Sequence, residues 1–176
     1  LSQGSWIVGI RDGLINEWYE NGQKKLKMNY EDGKENGLRT QWYDNGQKEM
    51  EGFYKYDKQD GSWTFWYENG QMLSKGSWIV GMRDGLYTKW FDNGQKEMEG
   101  TYKDGKKVSL WIEWNVGGKK STETTFVGND KYNKKTYYDS DSPYSYCIAE
   151  YLNGNRHGSN ICFDCAILSK YEIFHF

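Results

Sequence analysis

The chain is short of the residues that build helices. Its 176 residues include two alanines (Ala149, Ala166), nine leucines and one proline. Helical bundles draw heavily on Ala and Leu, so this composition argues against one. Histidine is also scarce, with His157 and the penultimate His175. A Ser-His-Asp or Cys-His catalytic pair needs a positioned imidazole, and His157 lies where a polar turn residue is expected anyway. No GxxxxGK[ST] segment exists to cradle a phosphate. The first 146 residues hold no cysteine, and Cys147, Cys162 and Cys165 are odd in number. A disulfide framework is therefore not expected to hold the fold. No run approaches the ~18 apolar residues of a membrane-spanning helix. The net charge is −2, too little to hold nucleic acid through a general field.

Glycine and aromatic residues are plentiful instead. There are 21 Gly, nine Trp and fifteen Tyr, and aromatics make up 18% of the chain. Mean hydropathy is −0.98, yet this aromatic content is foreign to disordered chains. Tyr, Trp, Thr and Gly together suit strands and tight turns, which predicts an all-β fold.

Self-similarity sets the architecture. Trp18, Trp42, Trp66, Trp90 and Trp114 recur every 24 residues. So do the pairs Asn21-Gly22, Asn45-Gly46, Asn69-Gly70 and Asn93-Gly94, and the glycines Gly13, Gly37, Gly61 and Gly85. About seven units result, the last two divergent. This divides the chain into regular repeats over 1–120 and divergent repeats with a C-terminal cap over 121–176. Residues 1–13 repeat as 73–85 with two differences, a shift of three units. Each unit fits two strands, with one turn at Asn-Gly and a second over Gly33–Gly37. The expected fold is an elongated, single-layer antiparallel sheet of tandem hairpins. Keeping successive units in phase calls for a bulge or three-residue loop at each Asn-Gly.

Alternation assigns faces. Pairing Tyr30 with Leu38 and Met28 with Thr40 puts Leu26, Met28, Tyr30, Leu38, Thr40 and Trp42 on one buried face. The recurrent glycines (Gly52, Gly76, Gly100) then leave room for an indole to lie over the strand. The opposite face carries Lys25 and Lys27, Glu49 and Glu51, Lys75, then Glu97 and Glu99, and reads as solvated. In the third unit that face also receives Trp63 and Phe65, with Phe53 predicted opposite Trp63. Three aromatics on a wet face read as a binding patch, with Glu51 and Lys75 on its rim.

Residues 30–48 (YEDGKENGLRTQWYDNGQK), 54–71 and 78–96 resemble the MORN-repeat variant of many bacterial proteins, often grouped with YwqK-type antitoxins. The resemblance implies a non-enzymatic hairpin array that binds other proteins, sometimes membranes, and in bacterial cases a cognate toxin. It favours the bacterial cytoplasm over the cell surface. Residues 61–78 (GSWTFWYENGQMLSKGSW) also look like choline- or glucan-binding cell-wall repeats, though those are nearer 20 residues long. A cell-surface carbohydrate- or choline-binding module is therefore the alternative reading. Cys162-x-x-Cys165 has metal-ligand spacing, with Cys147 and His157 near in sequence. Without a second CxxC, small semi-buried thiols are the expected state. No cofactor, metal or catalytic residue is expected.

Overall fold

The computed structural model describes residues 1–7, 9–126, 132–138, 146–152, 155–156 and 161–163. Every regular element among them is a strand. The strands are β1 (Ser2–Ile7), β2 (Ile10–Trp18), β3 (Lys24–Glu31), β4 (Lys34–Glu35), β5 (Gly37–Trp42), β6 (Lys48–Lys55), β7 (Lys58–Trp66), β8 (Met72–Ile79) and β9 (Met82–Arg83). They continue as β10 (Gly85–Trp90), β11 (Lys96–Lys103), β12 (Lys106–Trp114), β13 (Lys120–Phe126), β14 (Tyr132–Tyr138), β15 (Tyr146–Leu152), β16 (Asn155–Arg156) and β17 (Ile161–Phe163). They pair antiparallel in chain order, each hairpin beside the next. The two-residue strands β4, β9 and β16 lie just beyond a tip, before the strand is interrupted. The all-β hairpin array is therefore the fold. Cys147 and Cys162 are register partners on β15 and β17, while Cys165, His157 and His175 lie outside the described residues.

The two rims use different turns. At the first rim, the Tyr19 amide donates to the Gln23 carbonyl (2.9 Å) and the Gly22 amide to the Tyr19 carbonyl (3.0 Å). This is the expected three-residue loop, repeated at Tyr43, Tyr67 and Phe91. Gly22 takes the left-handed conformation (φ 84°) and Asn21 does not. The Asn21 side chain accepts from the Gln23 amide (3.0 Å) and donates to the Asp44 carbonyl of the next unit (2.8 Å). Asn45, Asn69 and Asn93 repeat the link at 2.9, 2.9 and 3.1 Å. Tyr19, Tyr43 and Tyr67 hydroxyls donate to the Trp42, Trp66 and Trp90 carbonyls at 2.7–2.8 Å. Burial raises the pKa of all three phenols, keeping them in the donating form. The Trp-Tyr-x-Asn-Gly repeat thus stitches each unit to its successor.

The second rim carries two-residue turns. Asp32 and Gly33 both have positive φ (50° and 79°) between the paired Glu31 and Lys34. This matches the twist of a tight hairpin. The turn is therefore shorter than the predicted Gly33–Gly37 loop. Asn36 and Gly37 form a bulge instead, with Gly37 at φ 110°. Together they change the pairing by an odd number of residues. Leu26 faces Gln41 and Lys27 faces Thr40, not Met28 opposite Thr40. The whole second strand is consequently turned over relative to the expected assignment.

On the core face, Gly52 lies opposite Trp63, Trp63 opposite Gly76, Tyr87 opposite Gly100, and Trp111 opposite Thr124. With Gly100 beside Trp111 across the β11–β12 bulge, glycine and aromatic side chains alternate across the sheet. Trp63 and Trp111 are 0% and 1% exposed. A Cβ on Gly52 or Gly100 would overlap the Trp63 or Trp111 ring. The rings therefore lie down on glycine backbone, and one layer makes its own core. The expected glycine space is occupied, by Trp63 and Trp111 and not by Trp42 or Trp66. Tyr54, Phe65 and Trp78 close around Trp63 at centroid distances of 5.1, 6.0 and 6.3 Å. The indole N–H donates to the Phe53 carbonyl (3.1 Å), leaving no buried polar hydrogen unmatched there. Ile15, Leu26, Met28 and Tyr30 form a further buried cluster.

Tyr56, Val80 and Ser109 depart from the local backbone rule. Tyr56 and Val80 have φ 47° and 50° where Asp32 and Asp104 stand in other turns of the same rim. Ser109 has φ 60° where Gly13, Gly37, Gly61 and Gly85 stand in the other units. A β-branched residue in the left-handed region is strained. Val80→Asn and Ser109→Gly are each expected to raise stability by about 1 kcal/mol, read as an upward shift in melting temperature.

Candidate functional site

The open face is built from the alternate residues of the same strands. One row across it runs Lys27, Thr40, Glu51, Thr64, Lys75, Thr88, Glu99. Beside it stand Trp42, Trp66, Trp90 and Trp114, all half-buried. Lys24, Lys48 and Lys96 lie over the Trp42, Trp66 and Trp114 rings at 5.6–5.9 Å. Lys48 also reaches Glu51 at 2.7 Å, and Glu51 accepts from the Thr40 hydroxyl at 3.1 Å. Much of this row is therefore committed to itself. The recurrent Trp series, expected at the centre of the core, instead packs along this face under lysine stems.

A second row is apolar and open. Leu38, expected to be buried, is exposed, as are its equivalents Leu14, Leu86 and Leu110. In most units the residue opposite is polar, as Asn29, Thr101 and Thr125 show. The exception is Phe53, which pairs with Leu38. Phe53 is 52% exposed and Leu38 41%, so two large apolar side chains sit side by side in solvent. Phe53 borders a hollow of about 400 Å³ shared with Asn36, Tyr56 and Asp60. A smaller hollow of about 240 Å³ lies farther along, between Ser62, Ser77, Leu86 and Trp90.

The five residues predicted as a patch are thus divided between the faces. Phe53, Glu51 and Lys75 are on the open face. Trp63 is fully buried and Phe65 half-buried on the core face. Phe53 is not opposite Trp63: the bulge after Gly52 sends it to Asp60, with Leu38 as its other partner. Trp63 therefore offers no surface to a partner. Leu38 escaped the sequence reading because it was assigned to the core. The signal that finds it is the contrast between Phe53 and the polar residues at its equivalent positions.

Cations on the core face serve the fold. Arg83 lies 4.7–5.5 Å from the Trp78, Tyr87 and Tyr102 rings and donates to the Tyr102 hydroxyl (3.0 Å). Arg11 treats Trp6 and Tyr30 in the same way. The Glu97 carboxylate hydrogen-bonded to Lys89 (2.8 Å) raises the lysine pKa and holds it charged. Among the described residues no group of three or more His, Cys, Asp or Glu side chains is arranged to hold a metal.

Comparison with protein families adds one finding. Residues 11–32, 35–56, 59–79 and 83–104 match the family described as MORN repeat variant. No curated protein matches the chain. The matched segments begin 24 residues apart, in step with the hairpins of the sheet.

Proposed function

Taking residues 11–104 as four repeats of the MORN-variant type, we propose that the chain is a non-catalytic repeat module that binds a protein partner through its open face. Repeats of this kind serve as modules for interaction. The observation that carries the reading is the exposed Leu38–Phe53 pair. An aromatic anchor beside an aliphatic one, set among charged side chains, is how interaction hot spots are built. Glu51, two residues from Phe53 on β6, and Lys75, two strands farther along the same row, supply the polar rim. The specific form favoured is antitoxin- or immunity-like binding of a cognate protein.

The test is partner capture from the source organism's lysate by the chain and by its Leu38→Ser/Phe53→Ser variant. Capture should be specific to the unaltered chain, with affinity lowered roughly 30-fold in the variant, the equivalent of about 2 kcal/mol. Its melting temperature should be nearly unchanged, since exposed side chains contribute little. Undiminished capture would place the site elsewhere. A second reading, binding of a cell-surface carbohydrate or choline, is favoured by the half-buried Trp series with Ser and Thr hydroxyls along the same face. It would be supported by retention on glucan or choline resin and elution by free ligand.

A further inference from the structure

The second rim carries two tips that expose aliphatic side chains, and one of them also strains its backbone. Its turns occur in the order 7–10 (IVGI), 31–34 (EDGK), 55–58 (KYDK), 79–82 (IVGM) and 103–106 (KDGK). Ile7 and Ile10 are more than half exposed, as are Ile79 and Val80, and Met82 is half exposed. Val80 also holds the strained φ of 50°. Val80 stands exposed in a position that aspartate fills in tips 31–34 and 103–106 and Tyr56 fills in tip 55–58. Residues that break local rules without structural return mark functional places.

Position along the rim says what would cover these tips. Backbone bonds from Gly33 to Arg11, Asp57 to Glu35 and Gly81 to Gln59 join the tips into one continuous row. Neighbouring tips are two strands apart, about 10 Å, which puts the two apolar tips about 29 Å from each other. Between them stand an acidic tip (Glu31, Asp32, with one lysine) and a basic one (Lys55, Lys58, with one aspartate and the half-exposed Tyr56). Asp57 is turned inward, accepting from the Glu35 amide at 2.8 Å, so the outward character of its tip is cationic. The order apolar, acidic, basic, apolar is its own complement when reversed.

We propose that this rim is a self-association surface for a second copy of the chain, related by a two-fold axis between tips 31–34 and 55–58. An isologous interface brings each patch to its counterpart twice. Here Glu31 and Asp32 meet Lys55 and Lys58 of the second copy at the centre. Ile7 and Ile10 meet Ile79, Val80 and Met82 at both ends. Both rims twist with one hand, so the copies can coil along each other. The tips are small, which puts the dimer among weak interfaces. This surface is separate from the Leu38–Phe53 pair, so either reading can fail without the other. An anionic lipid surface suits the rim less well, because Glu31, Asp32 and Asp104 would face it.

The experiment is sedimentation equilibrium over a concentration series, with circular dichroism confirming that each variant folds. The unaltered chain should pass reversibly from monomer to dimer. Ile79→Ser/Met82→Ser should weaken association at least tenfold, and Glu31→Lys should weaken it severalfold. Adding Lys58→Glu to Glu31→Lys should restore it, since each contact then regains opposite charges. A chain monomeric at every concentration would overturn the proposal. So would failure of the paired charge exchange to restore what Glu31→Lys removes. A monomer that binds phosphatidylserine vesicles through Ile79 and Met82 would assign the rim to lipid and overturn it equally.

Discussion

Trp63→Ala should destabilise the fold by about 3–5 kcal/mol, the range for a large aromatic removed from a packed interior. The indole is 0% exposed, and it is the common neighbour of Tyr54, Phe65 and Trp78. Its removal leaves a void between glycines that have no side chains to fill it. The loss should be clear in chemical denaturation. Trp42→Ala should cost distinctly less, because Trp42 is half-buried on the open face beneath Lys24. Equal losses at the two positions would contradict the assignment of faces. Trp111→Ala should behave like Trp63→Ala, because Trp111 repeats the same packing 48 residues along.

Gly52→Ala is the second large effect expected. It should destabilise by about 1–3 kcal/mol or more, as overpacked cores do. The cause is steric and local. An added methyl would enter the Trp63 ring, which cannot retreat without losing Tyr54 and Trp78. Backbone conformation does not enter, since Gly52 is not among the positive-φ glycines. Gly52→Ala combined with Trp63→Leu should cost less than the sum of the two single changes, because the smaller side chain vacates the ring's place. Gly76→Ala should be milder. Its added Cβ would meet Tyr87 at 3.0 Å and Trp78 at 3.1 Å, both at ring edges.

The repeat length, the strands and the three-residue Asn-Gly loops were legible because each depends on short-range spacing. Trp-Tyr-x-Asn-Gly, with Phe91 for Tyr in the fourth, recurs without a slip over four units, and a hairpin array is the way such a unit can fill 24 residues. That recurrent glycines make room for indoles was also legible. Which indole fills the room was not. It depends on the parity of one pairing, decided at Asp32-Gly33 and the Asn36–Gly37 bulge. Read as one long turn, that segment turns the second strand over and sends Trp63 to the surface. The column Ile15, Trp63, Tyr87, Trp111 held the correcting signal, being consistently apolar apart from Arg39. Arg39 fits there because it pairs with Glu35 (3.2 Å) and lies over the Tyr54 ring (5.8 Å).

The functional surface was half legible for the same reason. Phe53, Glu51 and Lys75 sit on first strands, whose faces were assigned correctly, and they lie on the open face. Trp63 and Phe65 sit on a second strand and were carried across with it. Leu38 was lost by the same inversion.

The packing of indole rings on glycine backbone is the claim on which both faces depend, and proton NMR tests it directly. The Hα resonances of Gly52 and Gly100 should be shifted strongly upfield by the Trp63 and Trp111 rings, with cross-relaxation from each glycine to its indole. Ordinary glycine shifts at both positions, with contacts to Trp66 or Trp114 instead, would contradict the register and return Trp63 to the surface.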